Sequence, residues 1–541
     1  MTASPHLPGM TDRHTLYRAA WVLPVASPPI RDGALLVDPR GRIAAVGPAA
    51  AVPAPDDAEL VDLGEAALLP GLVNVHGHPE LAAFRGLLDD LPFHEWIPAL
   101  NRLKREAALG PEDYDVAARW TCIEAAAAGI TTIGATEDSG AALDALLPQI
   151  PDCAGIVMST QMHSVVLVDG AGRALTNAVT WLDQRVRAPH PDGGTFFEAL
   201  AGRLGETARR ELGNELRPGL PIGTLFWLAQ RGELPPGATP LTMADYVLTR
   251  IAGAPPGIEL TNAAASGALD VGAGEWHRAA LAALGLDALD WPAIRPLDEP
   301  AGAYAAHGRP IPCYRPVGDA QCALLGAGLE PGELSINIAT GSQVSLLRDE
   351  PATGDYQLRP FFDGRFLATL SGLPAGRALN LLVGLLTELA AAHGAPIDNP
   401  WPYLLRAAEA APDSDLRVNL AFFDGAEGWP GAIERIDESN LTAGGLFRAA
   451  FRQMAENYHA AALRLSPERA WERLVLTGGL ARQAAPLRDL IAGRFGVSYR
   501  LGPEEDALAG LLALALVCSG RAASAMEASR LVRAATTSAS L

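Results

Sequence analysis

The first part of the chain alternates short apolar runs with turn-forming residues. Between residues 15 and 65, the apolar runs 33–37 and 43–46 flank the turn sequence at 38–41. Short apolar runs bounded by Asp, Pro and Gly predict a small β-sheet built from hairpins. The preceding residues 1–14 carry Pro and Ser without apolar periodicity, and we expect them to be disordered.

A strand–helix–strand pattern follows this predicted sheet. Residues 67–75 form an apolar run around a Pro-Gly pair, which is consistent with a buried strand. Residues 111–129 have helical periodicity, and Gly129 is placed to end the helix. Residues 130–133 then predict a second buried strand. This order of elements is typical of the start of a β/α barrel.

The pattern changes between Thr136 and Pro151, and strands and helices alternate beyond it. Strands are predicted within 153–168, 311–347, 356–371 and 472–480. Helices are predicted near 194–210, 241–252, 374–411, 441–465, 484–494 and 503–520. The second part of the chain is therefore predicted to be an α/β region of its own, and we expect the chain to divide between Thr136 and Cys153.

Composition narrows the class of protein. A chain of 541 residues is long enough for two to four domains, and its 49% hydrophobic and 19% charged residues are typical of soluble globular proteins. The net charge of −20 disfavours nucleic acid and anionic membranes as partners. The five cysteines are an odd number without a Cys-x-x-Cys pair, which argues against a disulfide framework and a zinc ribbon.

Two further features bear on location and chemistry. The longest apolar run, 507–518, is too short to span a bilayer, and the N-terminus lacks a basic-then-apolar signal pattern, so we expect a cytoplasmic protein. Lys104 is the only lysine. A P-loop lysine and a Schiff-base mechanism are therefore not expected.

Two histidines close the first predicted barrel strand. His76 and His78 stand two residues apart on a strand, so both imidazoles point to one face. Neutral imidazoles favour Zn²⁺ or Fe²⁺. The pair alone is a weak signal, because a polar turn at a strand end would look the same. It gains specificity from its context, Leu-Leu-Pro-Gly-Leu-Val-Asn-Val-His-Gly-His.

Residues 15–145 resemble the N-terminal part of the amidohydrolase superfamily, near the cytosine and S-adenosylhomocysteine deaminases. The resemblance implies further histidine ligands, a Glu acid/base and a late Asp ligand on later strands. The later histidines do not lie in those settings. A hydrolytic metal needs about three protein ligands and an open position for water. We therefore interpret His76 and His78 as a vestigial metal site on an N-terminal fragment.

A second set of motifs runs from residue 155 to residue 510. Each motif alone has a structural explanation, such as packing or a turn, but their order and spacing make coincidence improbable. The motifs are Gln161-Met162-His163, Trp181-Leu182-Asp183, Gly318-Asp319, Thr340-Gly341-Ser342, Gly478-Gly479 and Glu504-Glu505-Asp506.

This stretch resembles the FGGY carbohydrate kinases, most of all the sedoheptulokinases, whose pattern the run 356–368 also fits. The resemblance implies the two-domain, actin-like or ribonuclease H-like α/β fold, with domains at 152–315 and 316–525 and a tail at 526–541. It also implies phosphoryl transfer from ATP, with Mg²⁺, to a hydroxyl of a ketose or polyol such as sedoheptulose or xylulose.

Asp319 is the best candidate for the base, because a carboxylate in a Gly-bounded loop can reach a sugar hydroxyl. Thr340, Gly341 and Ser342 can offer backbone N–H groups to phosphate, and Gly478 and Gly479 would let a nucleotide approach the backbone. The residues expected to line the sugar pocket are Gln161, Met162, His163, Trp181 and Asp183. For Trp181, core packing is an equally good explanation.

One departure from the kinase pattern is serious. The family opens with a phosphate-binding hairpin that carries Asp-x-Gly-Thr, and no such motif precedes Gly155. We therefore interpret the chain as an amidohydrolase fragment followed by an N-terminally truncated sugar kinase, whose turnover should be impaired. A metal-dependent hydrolase or deaminase and a non-catalytic sugar- or nucleotide-binding remnant are the alternatives. A gene fusion, a pseudogene or an assembly error would each produce this order.

Overall fold

The computed structural model describes residues 13–25, 27–89, 91–107, 109–135, 153–306, 309–423 and 431–538. The chain divides into two compact units, Met1–Cys153 with Ala534–Leu541, and Ala154–Arg533. The predicted disorder of residues 1–12 and the predicted change at 136–152 lie outside the described residues. Among the described helices, none combines the length and apolar character needed to cross a bilayer.

The first unit begins with a sheet, and its strands are β1 (Thr15–Val22), β2 (Ile30–Val37), β3 (Ile43–Pro48), β4 (Glu59–Asp62) and β5 (Ala67–Leu68). Strands β1, β2 and β3 pair antiparallel as consecutive hairpins, which confirms the sequence prediction. Strands β4 and β5 add to β1 in parallel, which the alternation of apolar runs did not predict. Leu16, Ala34 and Leu36 form the small core beneath the sheet.

The predicted strand–helix–strand unit follows as β6 (Leu72–Gly77), α1 (Phe93–Glu106), α2 (Pro111–Ala127) and β7 (Ile130–Ala135). Strands β6 and β7 pair in parallel, and Gly129 has the positive φ expected beyond the end of α2. The sequence did not predict α1. The expectation that residues 67–75 are buried was wrong, because Leu72 is 53% exposed. Among the described residues β6 pairs only with β7, and such a pair leaves strand faces uncovered.

The second unit begins with short strands and helices around a helical core. Its strands are β8 (Ser159–Thr160), β9 (Val166–Val168), β10 (Thr239–Leu241), β11 (Gly257–Ile258), β12 (Leu269–Asp270), β13 (Glu275–Trp276), β14 (Ala293–Ile294), β15 (Pro300–Ala306), β16 (Arg309–Tyr314) and β17 (Val317–Gly318). Its helices are α3 (Phe196–Glu211), α4 (Pro221–Gln230), α5 (Met243–Ala252), α6 (Leu260–Ala265) and α7 (Arg278–Leu284). In the described part these strands form two-stranded sheets, including β8 with β17.

A larger sheet organises the rest of the unit. Its strands, in spatial order, are β20 (Gln357–Pro360), β21 (Phe366–Leu373), β19 (Ser342–Arg348), β18 (Glu333–Ile338), β24 (Arg473–Thr477) and β25 (Tyr499–Leu501), and a separate pair is formed by β22 (Arg417–Asn419) and β23 (Ala432–Glu434). Strands β18, β24 and β25 run parallel, whereas β18, β19, β21 and β20 are antiparallel neighbours.

Helices cover this sheet. They are α8 (Asp319–Gly326), α9 (Gly376–Ala392), α10 (Trp401–Ala410), α11 (Ala443–Leu465), α12 (Gly479–Gln483), α13 (Ala485–Phe495), α14 (Asp506–Cys518) and α15 (Ala525–Ser538). Those between residues 374 and 520 lie within the predicted ranges or next to them, whereas the helices at 319–326 and 525–538 were not predicted. Helix α11 buries Phe447, Phe451 and Tyr458 in the largest core. Helices α8 and α14 approach so closely that a side chain at Gly326 or Gly510 would collide with the backbone of the other helix.

Candidate active site

Two parallel strands bring the predicted sugar-binding loop beside the predicted base. Strand β8 pairs with β17, with Thr160 opposite Gly318. Gln161 therefore leaves β8 where Asp319 follows β17, and side chains at the carboxyl ends of neighbouring parallel strands commonly form binding sites. Met162 is buried, and its Sδ would lie 2.9 Å from a Cβ added at Gly318. Gly318 thus lets the two loops approach each other.

Asp319 is the first residue of α8, so the expectation that it sits in a loop was wrong. Its carboxylate is open to solvent, and its Oδ1 accepts a hydrogen bond of 2.8 Å from the N–H of Ala320. The surrounding protein removes part of its hydration and raises the pKa of Asp319, while that hydrogen bond and the positive charge of Arg359 oppose the rise. A carboxylate with a raised pKa is a stronger base.

Asp319 lines an open cavity of about 300 Å³ together with Asn337, Gln343, Thr477 and Asp506. Asn337 and Thr477 face each other across β18 and β24, and the Asn337 Nδ2 donates to the Thr477 Oγ1 at 3.0 Å. Burial raises the pKa of Asp506. The sequence analysis did not name these residues as site residues. Asp506 belongs to a motif quoted there, and Asn337, Gln343 and Thr477 lie within three residues of two others, which was the signal that could have identified them.

His163 lies just beyond β8 with a positive φ of 63°. Its Nδ1 lies 2.8 Å from the carbonyl oxygen of Ala265, and its Nε2 lies 2.8 Å from Nη2 of Arg217. Because arginine only donates, Nε2 accepts and Nδ1 donates, so the ring is neutral. Burial lowers the pKa of His163, in agreement with that state. Both ring nitrogens are engaged by the protein, which leaves the carbon edge of the ring for a ligand.

Trp181 and Asp183 emerge from the same end of a hairpin as His163, because Val165 pairs with Val179. Trp181 is 45% exposed, so core packing does not explain it. Asp183 accepts two hydrogen bonds of 2.9 and 2.7 Å from the Arg185 guanidinium, which lowers the pKa of Asp183. This end of the hairpin therefore presents an aromatic face and a carboxylate that is already paired.

The predicted phosphate-binding turn joins β18 to β19. Thr340 and Gly341 are exposed. Ser342 is buried, and its hydroxyl lies 2.7 Å from the hydroxyl of Tyr458. The Ser342 side chain is thus part of the core, and the solvent-facing part of the turn consists of Thr340 and Gly341.

Gly478 and Gly479 occupy different environments. Gly478 has a φ of 90°, and a side chain there would collide with the Ile338 carbonyl. Gly479 begins α12, and no described atom lies within 4 Å of the position that its Cβ would take. Gly478 is therefore required by backbone packing, whereas Gly479 leaves the backbone open to a ligand.

The predicted vestigial metal site belongs to the first unit. The Nδ1 of His78 lies 3.9 Å from Oε1 of the buried Glu80, which also faces the Lys104 ammonium at 3.7 Å. The side chain of His76 lies outside the described part of the structure. Within that part, no group of three or more His, Cys, Asp or Glu side chains is placed to hold a metal ion.

Comparison with known proteins agrees with both resemblances. Residues 139–326 match the N-terminal domain of the FGGY family of carbohydrate kinases. The chain is 28% identical over 269 residues to apulose kinase from Pectobacterium atrosepticum, covering 44% of this chain and 52% of that kinase. It is 27% identical over 247 residues to 5-methylthioadenosine/S-adenosylhomocysteine deaminase from Moorella thermoacetica, covering 42% and 54%. The chain thus spans about half the length of these relatives.

Solved structures share the fold. Gluconate kinase from Lactobacillus acidophilus aligns with a TM-score of 0.61 at 16% identity, over 96% of this chain and 92% of that one. Xylulose kinase from the same organism aligns with a TM-score of 0.59 at 18% identity, over 71% and 80%. The sequence-based fold assignment is thereby confirmed. Residues 139–326 are therefore similar to the N-terminal domain of the FGGY carbohydrate kinases, and the chain is also similar to 5-methylthioadenosine/S-adenosylhomocysteine deaminases.

Proposed function

We propose that the second unit is an ATP-dependent carbohydrate kinase that phosphorylates a hydroxyl of a ketose or polyol, with Asp319 as the base. One observation carries the proposal. Asp319 lies beside the exit of β8, where the predicted sugar loop begins, and it also lines the cavity formed at the ends of β18 and β24. A single carboxylate can therefore reach both an acceptor hydroxyl and the space for a phosphoryl donor.

Asp319 would take the proton from the attacking sugar hydroxyl. Its place at the start of α8 favours the ionised carboxylate through the helix dipole, whereas loss of hydration raises its pKa. The net rise in pKa makes the ionised carboxylate a stronger base for that proton. Activity should therefore fall as the pH drops through the pKa of Asp319.

The cavity fits the donor that the family implies. Gly479 offers open backbone, and the oxygen atoms of Asp506, Asn337 and Thr477 are the kind of ligand that Mg²⁺ prefers. When bound, Mg²⁺–ATP supplies the phosphoryl group and neutralises the charge that develops during transfer. Thr340 and Gly341 would contribute backbone N–H groups to the phosphates.

The sugar would be held by the β8 loop and the hairpin beyond it. Gln161 is exposed and offers an amide donor and acceptor next to Asp319. Trp181 offers an aromatic face to the carbon side of a sugar ring or chain. Met162 and His163 are held by the protein and would shape the pocket, and Asp183 would act as a paired acceptor.

A metal-dependent hydrolase is the second candidate, and the deaminase relatives favour it. At the vestigial site, Zn²⁺ or Fe²⁺ would bind weakly, because His76 and His78 are two ligands and catalytic zinc commonly uses three protein ligands. The check is metal content after dialysis, compared with the His78→Ala variant. Retained stoichiometric metal together with deamination that His78→Ala abolishes would favour the hydrolase.

The kinase proposal is tested by following ADP release from the full chain with sedoheptulose, xylulose and ribulose. Sugar-dependent ADP release is expected, and Asp319→Asn should lower it by about 10²–10⁴-fold. Asp363→Asn is the matched control, because Asp363 also accepts backbone N–H groups at a helix start but caps α15 away from the cavity. Sugar binding without turnover would instead indicate a binding remnant.

A further inference from the structure

A buried ion pair joins two distant segments of the second unit. Arg359 of β20 donates from Nε to Oε2 of Glu215 at 3.0 Å and from Nη2 to Oε1 at 2.5 Å. The two residues are 6% and 8% exposed. Such a two-point guanidinium–carboxylate contact fixes orientation as well as distance.

Backbone contacts reinforce this junction. The N–H of Leu358 donates to the Gly213 carbonyl at 2.8 Å, and the Asn214 amide donates to the Tyr356 carbonyl at 3.3 Å. A side chain at Gly213 would collide with the Leu358 carbonyl. The segment after α3 is therefore fastened along β20, next to the ion pair.

The ion pair continues in both directions to the candidate site. On one side, Arg217 lies 3.6 Å from Glu215 and donates to His163 of the sugar loop at 2.8 Å. On the other side, Nη1 of Arg359 lies 3.5 Å from Oε1 of Gln343, which lines the Asp319 cavity. The chain of contacts thus connects the loop after β8 with the cavity wall.

We propose that Arg359 is a positioning residue for phosphoryl transfer. Through its contact with Glu215, it holds the loop after β8 in place relative to the Asp319 cavity. The inference rests on the proposed function. Arg359 acts through its neighbours and through its charge, and Asp319 remains the group that meets the substrate. Because Glu215 carries the charge opposite to that of Arg359, we expect removal of one partner or the other to change the pKa of Asp319 in opposite directions.

The charges around the site determine the sign of each effect. Arg359 lowers the pKa of Asp319 against the larger effect of burial. The other titratable groups near Asp319 are Asp506, whose carboxylate lines the same cavity, and the Cys322 thiol. The pair itself is faced by Arg217 and the neutral His163. Burial acts to raise the pKa of Glu215, but the positive charges of Arg359 and Arg217 prevail and lower it.

The test compares four variants of the full chain. Arg359→Met removes the charge and should move the acidic limb of the kcat/KM profile to higher pH. Glu215→Gln leaves the positive charge of Arg359 without its partner and should move the acidic limb to lower pH. Arg359→Lys keeps the charge but loses the two-point contact, so the limb should stay while kcat/KM falls roughly ten- to a hundredfold.

Arg500→Met is the matched control, because Arg500 makes the same two-point contact with the buried Glu333 at the other end of β18. It should leave the acidic limb in place. Limbs that move alike in Arg359→Met and Arg500→Met, or that stay fixed in both Arg359→Met and Glu215→Gln, would overturn the proposal. If Arg359→Met does not fold, the results for Glu215→Gln and Arg359→Lys are sufficient to test the proposal.

A second measurement separates this proposal from the proposed function. The Asp319 carboxyl can be titrated by ¹³C NMR in the full chain, with Asp319→Asn to assign its signal. A higher pKa in Arg359→Met and a lower one in Glu215→Gln are expected with or without turnover. If no sugar is phosphorylated but these shifts occur, the kinase assignment fails and the coupling stands. Turnover with an unshifted Asp319 signal would refute the coupling alone.

Discussion

At the residue scale, two adjacent glycines illustrate how backbone packing and ligand access divide between neighbours. Gly478 adopts a φ that side chains rarely accept and abuts the Ile338 carbonyl, whereas Gly479 faces open space within the described structure. Holding a residue with a side chain at such a φ costs about 1–3 kcal/mol even without a collision. The first glycine therefore serves folding, and the second is available for function.

Gly478→Ala should lower the thermal unfolding midpoint markedly, whereas Gly479→Ala should leave it nearly unchanged and raise the KM for ATP. Alanine at Gly478 meets both strain and collision, and alanine at Gly479 meets only an approaching nucleotide. Calorimetry and ATP titrations check the two outcomes. Equal loss of stability in both variants would contradict the separation of roles.

The candidate site could be predicted only in part from individual residues. Asp319 and the Gln161 loop were identifiable because each follows a strand in a recognisable motif. Arg359 and Glu215 are 144 residues apart, and nothing local marks them as partners. The sequence predicted Ser342 as part of a phosphate-binding turn, but its hydroxyl forms a hydrogen bond with the hydroxyl of Tyr458, which lies on a helix far away in the sequence.

At the element scale, α6 stabilises β17, the strand that directly precedes Asp319. Its Thr261 hydroxyl accepts from the N–H of Gly318 at 2.8 Å and donates to Glu259. The Asn262 amide donates to the Pro316 carbonyl at 2.8 Å. These contacts fix β17 from the side of the helix, and they depend on a carboxylate buried in the protein.

Glu259 and the nearby Asp245 of α5 are both buried, and burial raises the pKa of each to about 7. Their ordinary values are near 4, so between about pH 4 and pH 7 the folded state binds more protons than the unfolded state. Raising the pH through this window therefore removes stability, by at most ~1.4 kcal/mol per pH unit for each group.

Asp245→Asn removes one of these titrations. The difference in unfolding free energy between the variant and the parent should shift in favour of the variant as the pH rises from 5 to 8. Denaturant titrations of both proteins at several pH values measure that difference, and groups common to both proteins cancel. A difference that stays constant with pH would contradict the buried, raised-pKa state of Asp245.

Helices and strands could be predicted where the apolar periodicity was strong. Prediction failed where burial by neighbouring strands or the chemistry at a helix start determined the structure. The helix α2 and the parallel pair β6–β7 follow from apolar spacing and Gly129. Burial of the 67–75 strand could not be predicted from its own residues, because it depends on neighbouring strands. The Gly-Asp pair at 318–319 looked like a loop, but glycine there precedes the first turn of a helix.

At the scale of the whole molecule, the described contacts divide the chain after Cys153. The deaminase-like motifs end before this point, and the kinase motifs begin after it. Limited proteolysis is expected to cut first between residues 136 and 153 and to release a fragment that corresponds to the kinase region. First cuts inside residues 196–211, which form α3, would contradict a division at this place.

The absence of the phosphate-binding motif that the kinase resemblance implies bears on rate. No Asp-x-Gly-Thr motif precedes Gly155, and the described strands between residues 153 and 318 form two-stranded sheets. Donors that meet developing charge on the phosphates are large contributors to transfer rates. We therefore expect slow turnover. The rate lost with the missing motif and the rate lost in Asp319→Asn need not add up, because the effects of groups that act together are not additive.

The central claim is that Asp319 directs transfer of a phosphoryl group from ATP to a sugar hydroxyl. The most direct test incubates the full chain with γ-labelled ATP and a ketose, and then separates sugar phosphate from inorganic phosphate. The account predicts label in the sugar phosphate, and its loss in Asp319→Asn but not in Asp363→Asn. Label that appears only in inorganic phosphate, or sugar labelling unchanged in Asp319→Asn, would contradict it.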